Sequence, residues 1–122
     1  MSLVNISIIL GILSQVLREE VQDILIRYGY KVVILEKVEG LDLSTTERPI
    51  GVIIDSDFAL TATSMGSAFI ERIPESISLI TLIHRHHASQ FDLFYKGQGE
   101  RGFCVIPFTE KDLMSALNRV HL

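Results

Sequence analysis

Five short, mainly apolar runs alternate with amphipathic stretches, and this alternation limits the fold more than any other feature of the chain. The runs are Ile6–Leu13, Lys31–Lys37, Ile50–Ile54, Ser78–Ile83 and Phe103–Ile106. Each has the length of a strand, and a continuous apolar strand is typical of a sheet that is covered on both faces. The pattern therefore predicts a parallel sheet between two layers of helices.

The stretches between the runs carry helix signals. Ser14 is a candidate cap for a first helix that ends at Gly29, and Thr109 with Asp112 is a candidate capping box for the last helix. The predicted apolar stripes are Val21, Ile24, Leu25 and Tyr28 in the first helix, and Leu113, Ala116, Leu117 and Val120 in the last. We also predict helices over Thr61–Ile73 and Ser89–Lys96, and a loop or very short helix over Val38–Pro49.

The resulting order is (βα)5, which makes the fold class α/β. Because crossovers between parallel strands are right-handed, we expect a three-layer flavodoxin-like fold with strand order 2-1-3-4-5 and a single domain over residues 4–122. Ligand sites in such folds lie beyond the carboxyl ends of the first and third strands. Those ends are Gly11–Ser14 and Asp55–Asp57.

Composition excludes several classes of protein. The chain has 122 residues and a net charge of −4 with no long basic run, so we expect no direct contact with nucleic acid. The first apolar run is too short to span a bilayer and no basic residue precedes it, so neither a membrane segment nor a signal peptide is expected. The single cysteine, Cys104, cannot form an internal disulfide and suits a cytoplasmic location.

Three motifs resemble those of response-regulator receiver domains of the chemotaxis-regulator type. Arg48-Pro49 before Ile50–Asp55 is similar to the third receiver strand, Ile106-Pro107-Phe108 to the Lys-Pro-Phe turn, and Tyr28–Val32 to the entry into the second strand. The resemblance implies a role in two-component (phosphorelay) signal transduction. It makes Asp55 the phospho-acceptor position, Phe103 the switch-aromatic position and Ile106 the position of the family's lysine.

The sequence departs from the receiver pattern at three positions. No acidic pair follows the first strand, Ile83 stands where a Ser or Thr is expected, and Ile106 replaces the lysine. Phosphoryl transfer depends on positioning and on neutralising charge with Mg²⁺ and a cation, and these groups are missing. We therefore expect a degenerate receiver, or pseudo-receiver, that is not an enzyme, has no cofactor or bound metal, and acts through protein–protein contacts.

The expected partners are a histidine kinase, an output domain or a second copy of the chain. Receivers use the face formed by the fourth helix, fifth strand and last helix, which here includes Phe91, Phe94 and Tyr95. Neighbouring residues of a short helix cannot both be buried, so either Phe94 or Tyr95 is expected at an interface.

Two alternatives stay open. One is a functional receiver that is phosphorylated at Asp55, with positive charge supplied by Arg85 or by His84, His86 and His87, which follow the fourth strand. The other is a small flavodoxin-like ligand-binding domain, although no glycine-rich phosphate turn or cobalamin motif is present. We predict a polar loop at the histidines, since structural zinc usually has four ligands, and an inert core thiol at Cys104.

Overall fold

A computed structural model describes residues 7–35, 51–61, 73, 76–90, 100–120 and 122. The strands are β1 (Ser7–Gly11), β2 (Lys31–Ile34), β3 (Gly51–Asp55), β4 (Ser78–His84) and β5 (Arg101–Ile106). The helices are α1 (Gln15–Arg27), α2 (Ser56–Thr61), a 3-10 helix (Arg85–Gln90) and α3 (Glu110–Arg119). Among the described residues, no helix is long and apolar enough to cross a bilayer.

The five strands form one parallel sheet in the order β2-β1-β3-β4-β5, which confirms the predicted fold class and topology. The register pairs Gly11 with Ile54 and His84 with Ile106. It also pairs Asp55 with Leu82. The carboxyl ends of β1, β3, β4 and β5 therefore meet at one edge of the sheet.

The sheet separates two apolar clusters, which explains why its central strands are continuously apolar. One cluster joins Ile8, Leu10 and Ile53 to the buried stripes of α1 and α3. The other, which we call the second core, holds Ile9, Val52, Ile54, Phe58 and Ile83, among others. Successive strand residues point to opposite faces, so β3 supplies both clusters and all five of its residues are buried.

Helix α1 begins and ends at the predicted residues. Ser14 caps it by accepting a hydrogen bond from the Leu17 N–H at 3.3 Å, and Gly29 follows it with a φ of 91°. Val21, Ile24 and Leu25 are buried as expected. The prediction for Tyr28 is wrong: it ends the helix, is 48% exposed, and its hydroxyl donates to Glu110 at 3.0 Å. That hydrogen bond holds the hydroxyl at Glu110, the first residue of α3.

Helix α3 has the predicted capping box. The Thr109 hydroxyl accepts from the Asp112 N–H at 3.1 Å, and the Asp112 carboxylate accepts from the Thr109 N–H at 2.9 Å. The predicted stripe of Leu113, Ala116, Leu117 and Val120 is buried against β5 and the first cluster.

Several boundaries differ from the prediction: for example, β2 ends at Ile34, before the predicted Lys37, and β5 begins at Arg101, before the predicted Phe103. Strand β1 ends at Gly11, and Leu13 is exposed. Helix α2 begins at Ser56, five residues before the expected start, because the Asp55 carboxylate accepts the Phe58 N–H at 2.9 Å and so supplies the cap. Most of the predicted Thr61–Ile73 and Ser89–Lys96 helices, and all of Val38–Pro49, lie outside the described residues.

Candidate functional site

Asp55 ends β3 with a carboxylate that is completely buried. Its Oδ1 accepts hydrogen bonds from the backbone N–H groups of Phe58 at 2.9 Å and Leu13 at 3.4 Å. Its Oδ2 lies 2.9 Å from Nε2 of His84. A carboxylate oxygen only accepts, so the His84 Nε2–H is the donor of this bond. Both oxygens of the predicted phospho-acceptor are therefore engaged by the protein itself.

His84 contacts both the acid that ends β3 and the acid in the first turn of α2. Besides the contact with Asp55, its Nε2 lies 3.2 Å from Oδ2 of Asp57. Ile83, the residue that the resemblance sets at the Ser/Thr position, is buried in the second core on the other side of the strand. His84 is thus the β4 residue whose side chain faces Asp55.

Ser56 ties the same site to the 3-10 helix. Its buried hydroxyl accepts from the His84 N–H at 2.9 Å, and its Oγ lies 2.7 Å from Nδ1 of His87. Because the Ser56 hydroxyl is fully buried, its role at the site is to position His84 and His87. Burial lowers the pKa of the His87 imidazole, and the neighbouring His86 lowers it further.

The other predicted residues lie on β5. Ile106 is half-buried opposite His84 and packs against the first cluster, whereas Phe103 is 39% exposed. Cys104 is buried between them, and burial raises the pKa of its thiol to about 11, as expected of an inert core residue. Phe91, Phe94 and Tyr95 lie outside the described residues.

Sequence reasoning missed that Asp57 and the histidines face each other. Asp57 contacts His84, and its Oδ1 lies 4.0 Å from Nε2 of His86 and 3.8 Å from Nδ1 of His87. The sequence did contain a signal for this contact, because Asp57 and the histidines come after neighbouring parallel strands, and side chains in such positions meet at one edge of the sheet. We call Asp55, Asp57, His84, His86 and His87 the His–Asp cluster.

No family model and no curated protein matches the chain, whereas solved structures do. It is similar to a response regulator receiver domain protein from Clostridium thermocellum, with a TM-score of 0.76, 17% identity, and coverage of 94% of this chain and 93% of that one. The chain has the fold of a response-regulator receiver domain.

Two further receiver structures are similar to the chain. The signal receiver domain of an HD domain-containing protein from Pseudomonas fluorescens Pf-5 has a TM-score of 0.75 and 18% identity, covering 94% of this chain and 93% of that one. The receiver domain of a sensor histidine kinase from Pseudomonas aeruginosa PAO1, which has a magnesium ion coordinated in its active site cleft, has a TM-score of 0.68 and 15% identity. That match covers 93% of this chain and 95% of that receiver domain.

The Mg²⁺ implied by the receiver fold does not fit the residues around Asp55. Mg²⁺ prefers oxygen ligands in octahedral geometry. After β1 the chain presents the N–H of Leu13 to Asp55, and a hydrogen-bond donor cannot be a ligand. The second oxygen faces an imidazole, which suits transition metals better than Mg²⁺.

Proposed function

We propose that the chain is a degenerate receiver module of two-component signalling that acts through protein–protein contacts and not through Mg²⁺-dependent phosphorylation of Asp55. The observation that supports this proposal is the burial of the Asp55 carboxylate with both oxygens hydrogen-bonded. A nucleophilic oxygen must approach the phosphorus atom in line with the leaving group. Here that approach would first require the His84 contact to open.

Charge compensation at the site is also incomplete for phosphoryl transfer. The transferred group spreads negative charge over three oxygens, and catalysis depends on cations placed around them. At the lysine position Ile106 offers only an aliphatic side chain, which packs on the first cluster. His84 is the nearest basic group in the described part of the chain, and two carboxylates already surround it.

The face formed by β5 and α3 fits the proposed role in protein contacts. β5 is an edge strand, and Phe103 and Val105 on it are large apolar residues that remain exposed. A groove between β5 and α3 continues this surface, lined by residues that include Phe108, Ser115 and Arg119. Phe103 and Val105 lie on the same face of the strand, and contiguous apolar surface of this kind, when it is extensive, is typical of interaction surfaces. We propose a histidine kinase, an output domain or a second copy as partner, in the cytoplasm.

The experiment is incubation with a small phosphodonor and Mg²⁺, followed by intact mass spectrometry and sedimentation. We expect no phosphoryl adduct and an unchanged oligomeric state, under conditions in which a phosphorylatable receiver run in parallel is modified. The Asp55→Asn variant is the matched control, because it keeps the shape of the site and removes the acceptor.

An adduct that is present in the wild type, absent in Asp55→Asn and accompanied by a change in oligomeric state would contradict the proposal. The pairing of His84 with Asp55 favours one second candidate in that event, a phosphorylated receiver in which His84 supplies the cation. A His84→Ala variant that loses the adduct would then support that candidate.

A further inference from the structure

The His–Asp cluster contains a group of donors that the phosphorylation site does not use. Among the described residues, Asp57, His86 and His87 bring one potential ligand atom each to within 4.8 Å of one another. They stand on two adjacent elements, α2 and the 3-10 helix. Their side chains are 42%, 68% and 16% exposed, respectively, so an ion from solvent can reach them.

We propose that Asp57, His86 and His87 bind one divalent transition-metal ion of the Zn²⁺ class. Two imidazoles and one carboxylate form a donor set that suits Zn²⁺, Fe²⁺, Ni²⁺ or Cu²⁺, whereas Mg²⁺ prefers oxygen ligands and water. Three protein ligands leave a coordination position for water or for a group from a partner. The inference goes beyond the proposed signalling function and stands independently of it.

The distances between the donors are close to those of a zinc site. Bonds of about 2.0–2.1 Å in a tetrahedron place neighbouring donor atoms about 3.3 Å apart. Oδ1 of Asp57 lies 4.0 Å from His86 Nε2 and 3.8 Å from His87 Nδ1. Closing these gaps requires side-chain movements of less than about 1 Å, and His86 is exposed enough to make them.

A neighbouring histidine already orients one of the three ligands. His84 contacts the other oxygen of Asp57, Oδ2, at 3.2 Å and leaves Oδ1 toward the exposed histidines. A partner of this kind, which binds the second atom of a ligand, fixes the orientation of that ligand in metalloproteins. Nδ1 of His87 also lies 2.7 Å from the Ser56 hydroxyl, and this contact must open when the nitrogen binds the ion.

This site differs from the Mg²⁺ site of receivers. It uses Asp57 and the 3-10 helix, while Asp55 keeps its hydrogen bonds to Phe58, Leu13 and His84. An ion bound there ties α2 to the 3-10 helix, so that metal binding changes the stability of the edge of the sheet that carries Asp55. We therefore expect Zn²⁺ to raise the melting temperature.

The experiment is calorimetric titration of chelator-treated protein with ZnCl₂ and with MgCl₂. We expect one Zn²⁺ per chain, bound at least ~100-fold more tightly than Mg²⁺. Asp57→Asn and His86→Ala should each weaken Zn²⁺ binding at least ~10-fold. Two control variants should keep the Zn²⁺ affinity within about threefold of the wild-type value. They are Asp55→Asn and Arg85→Ala, the latter at the exposed residue that precedes His86.

NMR of the imidazole nitrogens provides a test that needs no variant, because Zn²⁺ should shift the ligating nitrogens of His86 and His87. Three results would overturn the proposal. These are the absence of saturable Zn²⁺ binding, an unchanged affinity in His86→Ala, and a loss of binding in Asp55→Asn when that variant has the far-UV spectrum of the wild type.

Discussion

The aromatic ring of Phe58 lies so close to the Cα of Gly11 that a Cβ atom on residue 11 would come within 2.8 Å of its Cε1. Gly11 ends β1, where the resemblance to receivers expects acidic residues. Phe58 is buried in the second core and its ring therefore cannot swing out to make room. The ring occupies the space beside β1 that an acidic side chain at position 11 would need. The absence of an acid at Gly11 and the presence of a large ring at Phe58 are therefore two parts of one departure from the receiver pattern.

Gly11→Ala should destabilise the protein by about 1–3 kcal/mol, because the added methyl group overpacks against Phe58. The measurement is urea denaturation followed by circular dichroism, with the midpoint compared at constant m-value. Without this contact, replacing Gly with Ala would be neutral or slightly stabilising, because Ala lowers the conformational entropy of the unfolded chain.

Phe58→Leu provides the control for this prediction. The smaller side chain should reduce the cost of Gly11→Ala, so a double-mutant cycle should give a coupling energy of at least about 0.5 kcal/mol in favour of the double variant. If the free-energy changes of the two substitutions simply add, the contact with Phe58 is not the cause of the destabilisation by Gly11→Ala.

The sequence was sufficient to predict most of the fold, because its dominant signals are local. Continuous apolar runs locate buried strands, and Ser14, Gly29 and Thr109 locate helix ends by side-chain and backbone chemistry within a few residues. The start of α2 was not predicted, although Asp55 caps it through an equally local hydrogen bond with the Phe58 N–H. The resemblance assigned Asp55 only the role of phospho-acceptor position, and its second role as a helix cap was overlooked.

The candidate site was predicted only in part, because its contacts join residues that are distant in the sequence. Asp55 was located from its strand and motif. The contacts of Asp57 with His84, His86 and His87 join residues about 30 positions apart, and they depend on the register between β3 and β4. A shift of one residue would turn His84 to the other face of the sheet and bring Ile83 to the site. Sequence periodicity alone does not fix that register.

Cys104 should react slowly with thiol reagents in the folded protein. With a pKa of about 11, roughly one thiol in a thousand is ionised at pH 8, and the thiolate is the reactive form. We expect iodoacetamide labelling, followed by mass spectrometry, to be at least ~100-fold slower in native protein than in urea. The chain has one cysteine, so the label reports this site alone. Equal rates in the two conditions would show that the thiol is accessible and reactive.

The Asp112 carboxylate should make the stability of α3 depend on pH in the acid range. The hydrogen bonds that it shares with Thr109 lower its pKa below the ordinary value. A carboxyl group whose pKa is lowered by folding stabilises the folded state above its unfolded pKa, about 3.9, and loses that contribution as the pH falls through the folded pKa. Removing the Asp112 charge should therefore lower the stability of the folded protein at neutral pH and leave it unchanged in strong acid.

Asp112→Asn tests this expectation, because the amide is close in shape and cannot ionise. We expect the variant to be less stable than the wild type in urea denaturation at pH 7, and the difference to shrink toward zero as the pH falls through the lowered folded pKa of Asp112, where the wild-type carboxylate becomes protonated. Asp23→Asn, an exposed change on α1, is the control and should show a smaller difference at pH 7. A deficit of Asp112→Asn that persists unchanged at low pH would show that side-chain shape, and not the charge-assisted cap of Thr109, stabilises the start of α3.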